Sequence, residues 1–337
     1  MKRAMLVALL LVACDEAGPA DGGVDGDAGP EPDLVFTVAT FNVGTTLGLA
    51  HDGAPDDGYT MEMATISDEH YGNGLAWLPA VGAVQTWIAN NQPDIIVFQE
   101  IFHAEDCAAI PAAARAGFYC EGWAAGDPTV VEEVVGPTYQ VACNLGRPDK
   151  CAAVRVAFGR FAGCERPLCL DGLDGARVPD CGGGSRVGRG VIDLTDGGTI
   201  TLAHVHGTSG ITAEEQGCRT AQFEQVFVDL DGAPAANGEA NLVMGDFNTD
   251  PVRLASGDTS AMRLAELVDS SGFAFVTATD RRTEPTYSGV VSIDHVISDT
   301  FTGSCRAFGI TEGTEPPIDA VYFDHVPILC EVGGTLP

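Results

Sequence analysis

Eight polar residues of this chain stand at or just beyond the ends of apolar runs, and their types suit chemistry on phosphate esters. They are Asn42, Glu100, His206, Asp246, Asn248, Asp294, Asp324 and His325. Carboxylate and amide oxygens bind hard divalent cations such as Mg²⁺, while histidines and carboxylates can hold or move protons beside a phosphate. Such a set can hold a metal, orient a water molecule and protonate a leaving oxygen, which phosphoester cleavage requires.

Each of these residues also has a structural interpretation. An acid after a strand is often a helix cap or a turn former, and an isolated histidine is often a hydrogen-bonded structural residue. The residues are spread along the chain, yet they recur at the ends of apolar runs. It is this joint occurrence that favours an enzyme.

The elements that would position these residues are strands and helices in alternation. Apolar runs predict strands at residues 36–41, 94–99, 199–206, 241–247, 291–297 and 324–329, with shorter candidates such as 152–158. Helical periodicity and a capping box of Thr212 with Glu215 predict helices at residues 75–91, 104–116, 212–230 and 261–270. Residues 51–74 are interpreted as an irregular loop, and 117–189 as a loop-rich segment. This order predicts a layered α/β (α+β) domain with the polar residues at one rim.

The N-terminal sequence is typical of an export signal followed by a tether. A basic start and a short apolar run predict a signal peptide over residues 1–13, and the lipobox-like residues before Cys14 predict that this cysteine is lipidated. Residues 14–33 are rich in Gly, Pro, Asp and Ala and form the expected flexible acidic tether. A single domain is predicted over 34–333. The chain is therefore expected to be an exported lipoprotein of the periplasm or cell surface, or otherwise secreted.

The ten cysteines after Cys14 predict disulfide bonds, because an even number in an exported chain is typical of a crosslinked set. They are residues 107, 120, 143, 151, 164, 169, 181, 218, 305 and 330. Zinc is the weaker alternative, since no pair has Cys-x-x-Cys spacing. Cys305 with Cys330 is the favoured pair, because both fall in strand-like segments near the C-terminus.

The charge is strongly acidic but unevenly distributed. A formal net charge of −31 argues against tight nonspecific binding to duplex DNA or anionic lipid. Residues 147–189, however, contain eight of the 17 basic residues. This segment is either a local phosphate-facing surface or a solvated, arginine-bearing insertion.

The motifs resemble those of the endonuclease/exonuclease/phosphatase superfamily, in the family's order and over residues 36–329. The motifs that carry the resemblance are Thr40-Phe-Asn42, Gln99-Glu100, the strand with His206, Gly245-Asp246-Phe-Asn248, Ile293-Asp294-His295 and Asp324-His325-Val-Pro-Ile, with Arg219 and Gln222 between them. The resemblance implies a four-layer α-β-β-α sandwich, in which two packed mixed β-sheets are flanked by helices and the site lies at one rim.

The same resemblance implies a metal site. Glu100 would be the principal ligand of Mg²⁺, with Mn²⁺ or Ca²⁺ as alternative ions. Asn42 and Asp324 would assist it.

The resemblance also implies the catalytic roles of five further residues. Asp246 would position or deprotonate the attacking water, and Asn248 would orient that water and the phosphate. His325, held by Asp294, would stabilise charge on the phosphate in the transition state. His206 would contact the phosphate or protonate the leaving oxygen.

Two departures from the family pattern leave the substrate open. His204 replaces the usual Asn two residues before His206, and two histidines on one face could instead bind a transition metal. The usual Gly-x-Ala-Ile-Leu-Ser strand is absent, and its nearest substitute begins at Lys150. No acidic partner for His206 can be assigned in this segment.

The leading functional hypothesis is a divalent-metal-dependent phosphodiesterase, most specifically a nuclease. A sphingomyelinase-like or inositol-phosphate-type lipid phosphoesterase is the alternative, in which residues 71–77 would form a loop that touches a membrane. A catalytically silent binding domain comes last, because none of the motif residues is lost. Nucleic acid is thus the favoured partner and phospholipid a possible one. No protein partner is predicted, the membrane is reached only through the lipid anchor, and the chain is expected to be a monomer.

Overall fold

Two mixed β-sheets pack face to face at the centre of this fold. The structure is a computed structural model that describes residues 33–45, 51–52, 58–319 and 321–337, all within one unit of the chain. The predicted signal peptide, Cys14 and the tether up to residue 32 lie outside the described residues.

The strands alternate with helices along the chain, as their bounds show. The strands are β1 (Leu34–Asn42), β2 (Ile95–Gln99), β3 (Tyr139–Asn144), β4 (Arg147–Arg155), β5 (Gly159–Phe161), β6 (Leu168–Leu173), β7 (Val187–Leu194), β8 (Thr199–His206), β9 (Asn241–Asp246), β10 (Ala274–Phe275), β11 (Asp294–Ser298), β12 (Thr302–Ala307) and β13 (Ile328–Gly334). The helices are α1 (Met61–Tyr71), α2 (Leu78–Asn91), α3 (Val130–Val135), α4 (Ala213–Phe227) and α5 (Thr259–Ser270).

Each sheet combines parallel and antiparallel neighbours. The first sheet has the order β12-β13-β1-β2-β4-β3-β6, and the second has the order β10-β11-β9-β8-β7-β5. Strands β1 and β2 are parallel, as are β8 and β9, whereas β13 pairs with β1 and β11 with β9 in antiparallel register. The predicted pair of mixed sheets is confirmed.

Alternation of side chains along each strand creates the layers. Val38 of β1 packs with Leu202 and Leu242 of the second sheet, in a core between the sheets. Phe41 faces the opposite way, into a core that includes residues of α1, α2 and α3. A third core lies between the second sheet and helices α4 and α5. The result is the predicted α-β-β-α sandwich, because successive residues of a strand point to opposite faces of its sheet.

Polar residues at the ends of four strands lie on the same strand faces as the apolar side chains that fill the gap between the sheets. Asn42 has the same parity as Val38, and in the second sheet Asp246 lies directly opposite both His206 and Asp294 in register. Because paired residues of neighbouring strands point to the same face, these side chains must meet at the rim of the inter-sheet gap.

One predicted loop and one predicted helix are wrong. The segment 51–74 contains helix α1, which begins after Thr60, whose hydroxyl accepts a hydrogen bond from the Met63 N–H, and ends at Gly72 with a φ of 60°. This left-handed C-cap suits glycine. The helix predicted over 104–116 is instead a pair of short 3₁₀ turns on either side of Pro111, which cannot donate a helical hydrogen bond.

The segment 117–189 is also more regular than expected. It contains helix α3 and strands β3, β4, β5, β6 and the start of β7. The last predicted strand begins later than expected, at Ile328 rather than at residue 324. Asp324 and His325 thus precede the strand rather than lie within it.

Five disulfide bonds crosslink the described residues. They are Cys107–Cys120, Cys143–Cys151, Cys164–Cys169, Cys181–Cys218 and Cys305–Cys330. The prediction of a disulfide set, and of the last pair in particular, is confirmed. Such a set fits an exported protein. Within the described ranges, no helix has the length and apolar character needed to cross a membrane.

Candidate active site

All eight polar residues identified in the sequence come together at one rim of the inter-sheet gap. They stand at the ends of six strands: Asn42 in β1, Glu100 after β2, His206 in β8, Asp246 and Asn248 at β9, Asp294 in β11, and Asp324 and His325 before β13. Hydrogen bonds, ion pairs and charge interactions join them into one cluster.

Asn42 links the two sheets across the rim. Its Nδ2 donates to Glu100 Oε1 at 3.1 Å and to Asp246 Oδ2 at 3.0 Å, while its Oδ1 accepts from the Gly44 N–H at 2.9 Å. The amide oxygen is therefore directed at Gly44, and the amide nitrogen holds the two carboxylates in place. The metal-ligand role expected for Asn42 stays a prediction.

The backbone conformation at Glu100 and the small residue at position 44 allow the Asn42–Glu100 contact. Glu100 has a φ of 62°, in the left-handed region, directly after the buried strand β2. A Cβ at Gly44 would overlap the Glu100 carboxylate. An alanine at position 44 would therefore displace this carboxylate, because the overlapping atoms are the end of a flexible side chain.

Asp246 is the most heavily hydrogen-bonded carboxylate of the site. Its Oδ1 accepts from the Asn248 N–H at 2.7 Å, and its Oδ2 accepts from Asn248 Nδ2 at 2.9 Å as well as from Asn42. Asn248 makes both contacts from a left-handed backbone, with a φ of 52°. Burial raises the pKa of Asp246 to about 7, although the positive charge of His325 opposes the rise. A carboxyl group in this range can exchange a proton near neutral pH.

His325 is held by a buried carboxylate. Its Nδ1 lies 2.8 Å from Asp294 Oδ2, and its Nε2 lies 3.8 Å from Asp246 Oδ2. The Tyr287 ring packs against the imidazole at 4.8 Å between ring centroids. Burial alone would lower the pKa of His325, but the charge and hydrogen bond of Asp294 outweigh it and raise the pKa to about 10. His325 is thus an imidazolium at neutral pH.

His206 has the opposite electrostatic character. Its Nε2 lies 3.5 Å from Glu100 Oε1 and 3.6 Å from Asp246 Oδ2, while its buried Nδ1 has no partner among the residues that the structure describes. Burial lowers the pKa of His206 well below its ordinary value, and the charges of Lys150 and Arg186 lower it further. His206 is therefore a neutral imidazole, and no acidic side chain holds its Nδ1 within the described ranges.

His204 does not share a site with His206. Its Nε2 lies 2.8 Å from Gln99 Nε2, and its Nδ1 lies 3.0 Å from Asn144 Oδ1. Both ring nitrogens are thus occupied inside the gap between the sheets. The alternative of a transition-metal site built on the two histidines is not supported by this arrangement, because His204 has no free nitrogen to offer.

The remaining carboxylate, Asp324, provides a test of whether the site suits a divalent cation. Its Oδ1 is buried and has no hydrogen-bond partner in the part of the chain that is described. Burial raises the pKa of Asp324 to about 6; the charge of His325 opposes this rise and that of Glu100 adds to it. Two carboxylates that repel each other, one with an unpartnered oxygen, form a set of hard oxygen donors that a divalent cation would satisfy.

The same test limits the kind of metal site. Among the described residues, no group of three or more His, Cys, Asp or Glu side chains is arranged to hold a metal ion. A closed structural site is therefore not present in that part of the chain. An open magnesium site needs only one or two carboxylates, with water and substrate phosphate as the other ligands, and Glu100 with Asp324 meets that requirement.

Arg219 and Gln222 lie in helix α4, after β8, where the sequence placed them. Both contact the loop that joins β8 to this helix. Arg219 Nη1 donates to the carbonyl oxygens of Thr208 and Gly210 at 2.8 and 2.7 Å, and its Nη2 lies 2.8 Å from Asp258 Oδ2. Gln222 accepts from the Thr208 N–H at 2.8 Å. Both residues are buried and position the loop that follows His206.

Cationic residues also reach the site, although the sequence identified only the segment that contains them. Lys150 and Arg186 line a cavity of about 470 Å³ together with Glu100 and His206. Strand β4, which begins at Arg147, is antiparallel to β2, and Arg186 directly precedes β7, which is antiparallel to β8. The starts of β4 and β7 therefore lie at the rim where β2 and β8 end. The feature of the sequence that could have identified Lys150 and Arg186 individually is that each is a basic residue directly before an apolar run.

The fold and this rim define the class of protein. A four-layer sandwich that joins paired carboxylates, amides and a carboxylate-bound imidazolium at one rim is a scaffold for hydrolysis of phosphoester bonds. The chain belongs to the Endonuclease/Exonuclease/phosphatase family, whose model matches residues 39–313. Hydrolases of this family act on phosphoester bonds.

Solved structures are similar to this chain at low sequence identity. Humanized D. rerio TDP2 matches with a TM-score of 0.50 at 14% identity, covering 89% of this chain and 99% of that chain. A functionally unknown conserved protein from Enterococcus faecalis V583 gives a TM-score of 0.49 at 15% identity, covering 88% and 99%. A family protein from Bacteroides thetaiotaomicron gives 0.48 at 14% identity, covering 89% and 95%. Among curated protein sequences, none matches the chain.

Proposed function

We propose that this protein is a divalent-metal-dependent phosphodiesterase, and specifically a nuclease, that cleaves phosphodiester bonds by attack of water. One observation carries the proposal: Asn42 joins the Glu100 and Asp246 carboxylates, and the His325 imidazolium and the Asp324 carboxylate lie beside them at a single rim. Family membership supports the reaction class, and the metal and the substrate are inferred from the residues.

Glu100 and Asp324 would hold the divalent cation, which we expect to be Mg²⁺, with Mn²⁺ or Ca²⁺ as alternatives. When bound, the ion supplies positive charge that offsets the negative charge growing on the phosphate in the transition state. Asn42 fixes the Glu100 carboxylate through the 3.1 Å hydrogen bond from its Nδ2.

Asp246 would take a proton from the attacking water. Its raised pKa, near neutrality, suits a general base at physiological pH. The two donors of Asn248 and the amide of Asn42 fix the carboxylate in one orientation. His325 would then stabilise the phosphate charge as an imidazolium, with Asp294 holding its ring.

His206 is better suited to hydrogen bonding than to acid catalysis. Because its pKa is lowered well below the ordinary value, it carries no spare proton at neutral pH. A neutral imidazole can still donate one N–H to a phosphate oxygen. Of the two roles expected for His206, contact with the phosphate is therefore the one that its surroundings favour.

The cavity beside the rim favours nucleic acid over phospholipid as substrate. Three cations, Arg147, Lys150 and Arg186, line it beside three carboxylates, and these cations suit a substrate that carries several phosphates. The membrane-touching loop expected around residues 71–77 is wrong, because Tyr71 stacks on Phe118 with ring centroids 4.6 Å apart and Trp77 packs on Tyr59 at 4.9 Å. Both aromatic residues belong to the core and have almost no exposure.

The location of the protein is proposed on separate grounds. The five disulfides fit export, and we propose that the chain is retained at a membrane by a lipid on Cys14, with residues 14–33 as a tether.

The proposal is tested by incubating the purified full-length chain with plasmid DNA, RNA and sphingomyelin, with Mg²⁺ or with EDTA. We expect cleavage of nucleic acid that requires Mg²⁺ and is lost in the His325→Ala variant, whose folding is checked by circular dichroism. Turnover of sphingomyelin instead would favour the lipid phosphoesterase. A folded protein that cleaves none of these substrates and binds no divalent cation would overturn the proposal.

A further inference from the structure

A group of like charges adjoins the candidate active site on this acidic chain. The cavity of about 470 Å³ that contains Glu100 and His206 is also lined by Arg147, Lys150 and Arg186. The formal charge of the whole chain is −31, so a local concentration of cations is unusual here. A cavity of this volume accommodates a small ligand such as one nucleotide unit of an unpaired strand.

Lys150 is the most distinctive member of this group. It is one of two lysines in the chain, and the other is Lys2. Its side chain is only 3% exposed, and it forms an ion pair with Asp149. Burial of a lysine ammonium group costs free energy unless the group is paired. Only one of its three donors has a partner in the described part of the chain, so the ammonium group can accommodate another acceptor.

Arg186 contributes a second cation. Its Nη1 donates to the carbonyl oxygens of His206 and Gly207 at 3.3 and 3.2 Å, which holds the guanidinium beside the end of β8. Its Nε is buried and has no hydrogen-bond partner within the described residues. The guanidinium therefore has donor capacity that the protein itself does not use.

The three cations lie close enough to repel one another. The charge of Arg147 acts on Arg186, and the charges of both arginines act on Lys150. Three carboxylates also line the cavity, namely Glu100, Asp106 and Asp149. Glu100 belongs to the proposed metal site and Asp149 is paired with Lys150. A bound anion would pair with the donors of Lys150 and Arg186 that the described residues leave unused.

We propose that Arg147, Lys150 and Arg186 form a second phosphate subsite, which binds a phosphate neighbouring the one that is cleaved. The inference rests on the proposed function and names its substrate class: a short, single-stranded nucleotide chain with at least one additional phosphate. The buried Lys150 and the half-buried Arg186 supply charge-assisted hydrogen bonds to that phosphate, and Arg147 supplies charge at the cavity edge.

The first test compares three substrates in the presence of Mg²⁺. Thymidylyl-thymidine contains a single phosphodiester, and its 5′-phosphorylated and 3′-phosphorylated forms each carry one more phosphate. We expect the full-length protein to cleave one phosphorylated form with a kcat/KM about tenfold higher, since a charge-assisted hydrogen bond contributes roughly that factor. This preference should fall towards one in the Asp149→Asn/Lys150→Met double variant, which removes both charges of the ion pair together.

Two further variants control for folding and for general charge. Arg147→Gln changes a partly exposed member of the subsite and should reduce the preference without removing a buried charge. Arg160→Met changes an exposed arginine of the same basic segment, in β5, which does not line the cavity, and should leave the preference unchanged. Equal kcat/KM values for all three substrates in the unaltered protein would overturn the subsite while the phosphodiesterase remained.

The second test does not depend on catalysis. Binding of a fluorescent hexathymidylate is measured in EDTA by anisotropy at several salt concentrations. The slope of log K against log salt should become less steep by roughly 0.7 for each phosphate contact that a variant loses. An unchanged slope in both subsite variants would overturn the inference. A changed slope in a protein that cleaves no substrate would retain the subsite and overturn the proposed function.

Discussion

Asp294 Oδ2 lies 2.8 Å from His325 Nδ1, and the two residues reach this contact from different strands of the chain. Asp294 begins β11 of the second sheet, whereas His325 precedes β13 of the first. The pair therefore joins the two sheets at the rim and fixes which nitrogen of His325 faces Asp246.

The first prediction concerns this pair. Asp294→Asn removes the charge that raises the pKa of His325, so the pKa of this histidine in EDTA should fall from about 10 towards its ordinary value. NMR titration of the His325 ring measures the change. With Mg²⁺, kcat should fall by roughly 10²- to 10³-fold, the effect of weakening one transition-state donor. A variant that keeps both the raised pKa and full activity would contradict the role of Asp294.

A second prediction concerns the glycine beside the proposed metal site. Gly44→Ala places a methyl group against the Glu100 carboxylate and within 3.1 Å of Asn42 Oδ1. The carboxylate must shift, and affinity for Mg²⁺ or Mn²⁺ should fall by roughly 10- to 100-fold, the effect of disturbing groups that orient a metal ligand. Isothermal titration calorimetry measures the affinity.

The matched control for this glycine is Gly82→Ala. Gly82 lies on the exposed side of α2, and a Cβ there meets no atom within 4 Å. This change should keep the metal affinity and raise the free energy of unfolding by about 0.5–1 kcal/mol, because alanine favours the helix interior. Equal metal affinities in the two variants would argue against the placement of the cation at Glu100.

The third prediction concerns the proposed anchor. In a bacterial host, Cys14→Ser should move the protein from the membrane fraction to the soluble fraction, because the acyl chains on Cys14 would supply the membrane affinity. Mass spectrometry of the unaltered protein should show a lipidated Cys14 as the first residue. A soluble unaltered protein that begins at another residue would instead indicate an ordinary signal peptide.

The sequence predicted which polar residues meet at the rim, because strand ends are local features. Asn42, His206 and Asp246 each terminate an apolar run, and their parity along the strand decides which face they occupy. The prediction therefore needed only the period of two along each strand. The packing of two sheets, which brings these strand ends together, was predicted from the family resemblance. No local pattern in the sequence encodes the packing of one sheet on another.

The remaining parts of the site depend on contacts that no single segment specifies. The orientation of the Asn42 amide depends on the Gly44 N–H and on carboxylates 58 and 204 residues away. Lys150 was recognised only within a basic segment and as the start of a strand-like stretch, because its position opposite Gln99 in β2 becomes visible only with the register of β4. Helix α1 was missed because its sequence is polar and the cap at Thr60 was not recognised.

The last prediction uses the buried histidine between the sheets. Burial lowers the pKa of His204 from 6.5 to about 3. Between these two values the unfolded chain binds a proton at His204 and the folded chain does not. Stability therefore falls as the pH drops from about 6.5 towards 3, at roughly 1.4 kcal/mol per pH unit for one histidine, and His204 imposes no such penalty above that window.

His204→Asn tests this contribution, because asparagine can still hydrogen bond in the inter-sheet gap but has no proton to gain. Urea unfolding at pH 7, 6 and 5 should show a shallower loss of stability in this variant, by about one proton. His70→Asn, which makes the same change in helix α1 rather than in the inter-sheet gap, is the matched control variant. If the His204→Asn variant and the unaltered protein lose stability in parallel, the acid sensitivity must come from other groups, of which the buried His206 and His295 are the next to test.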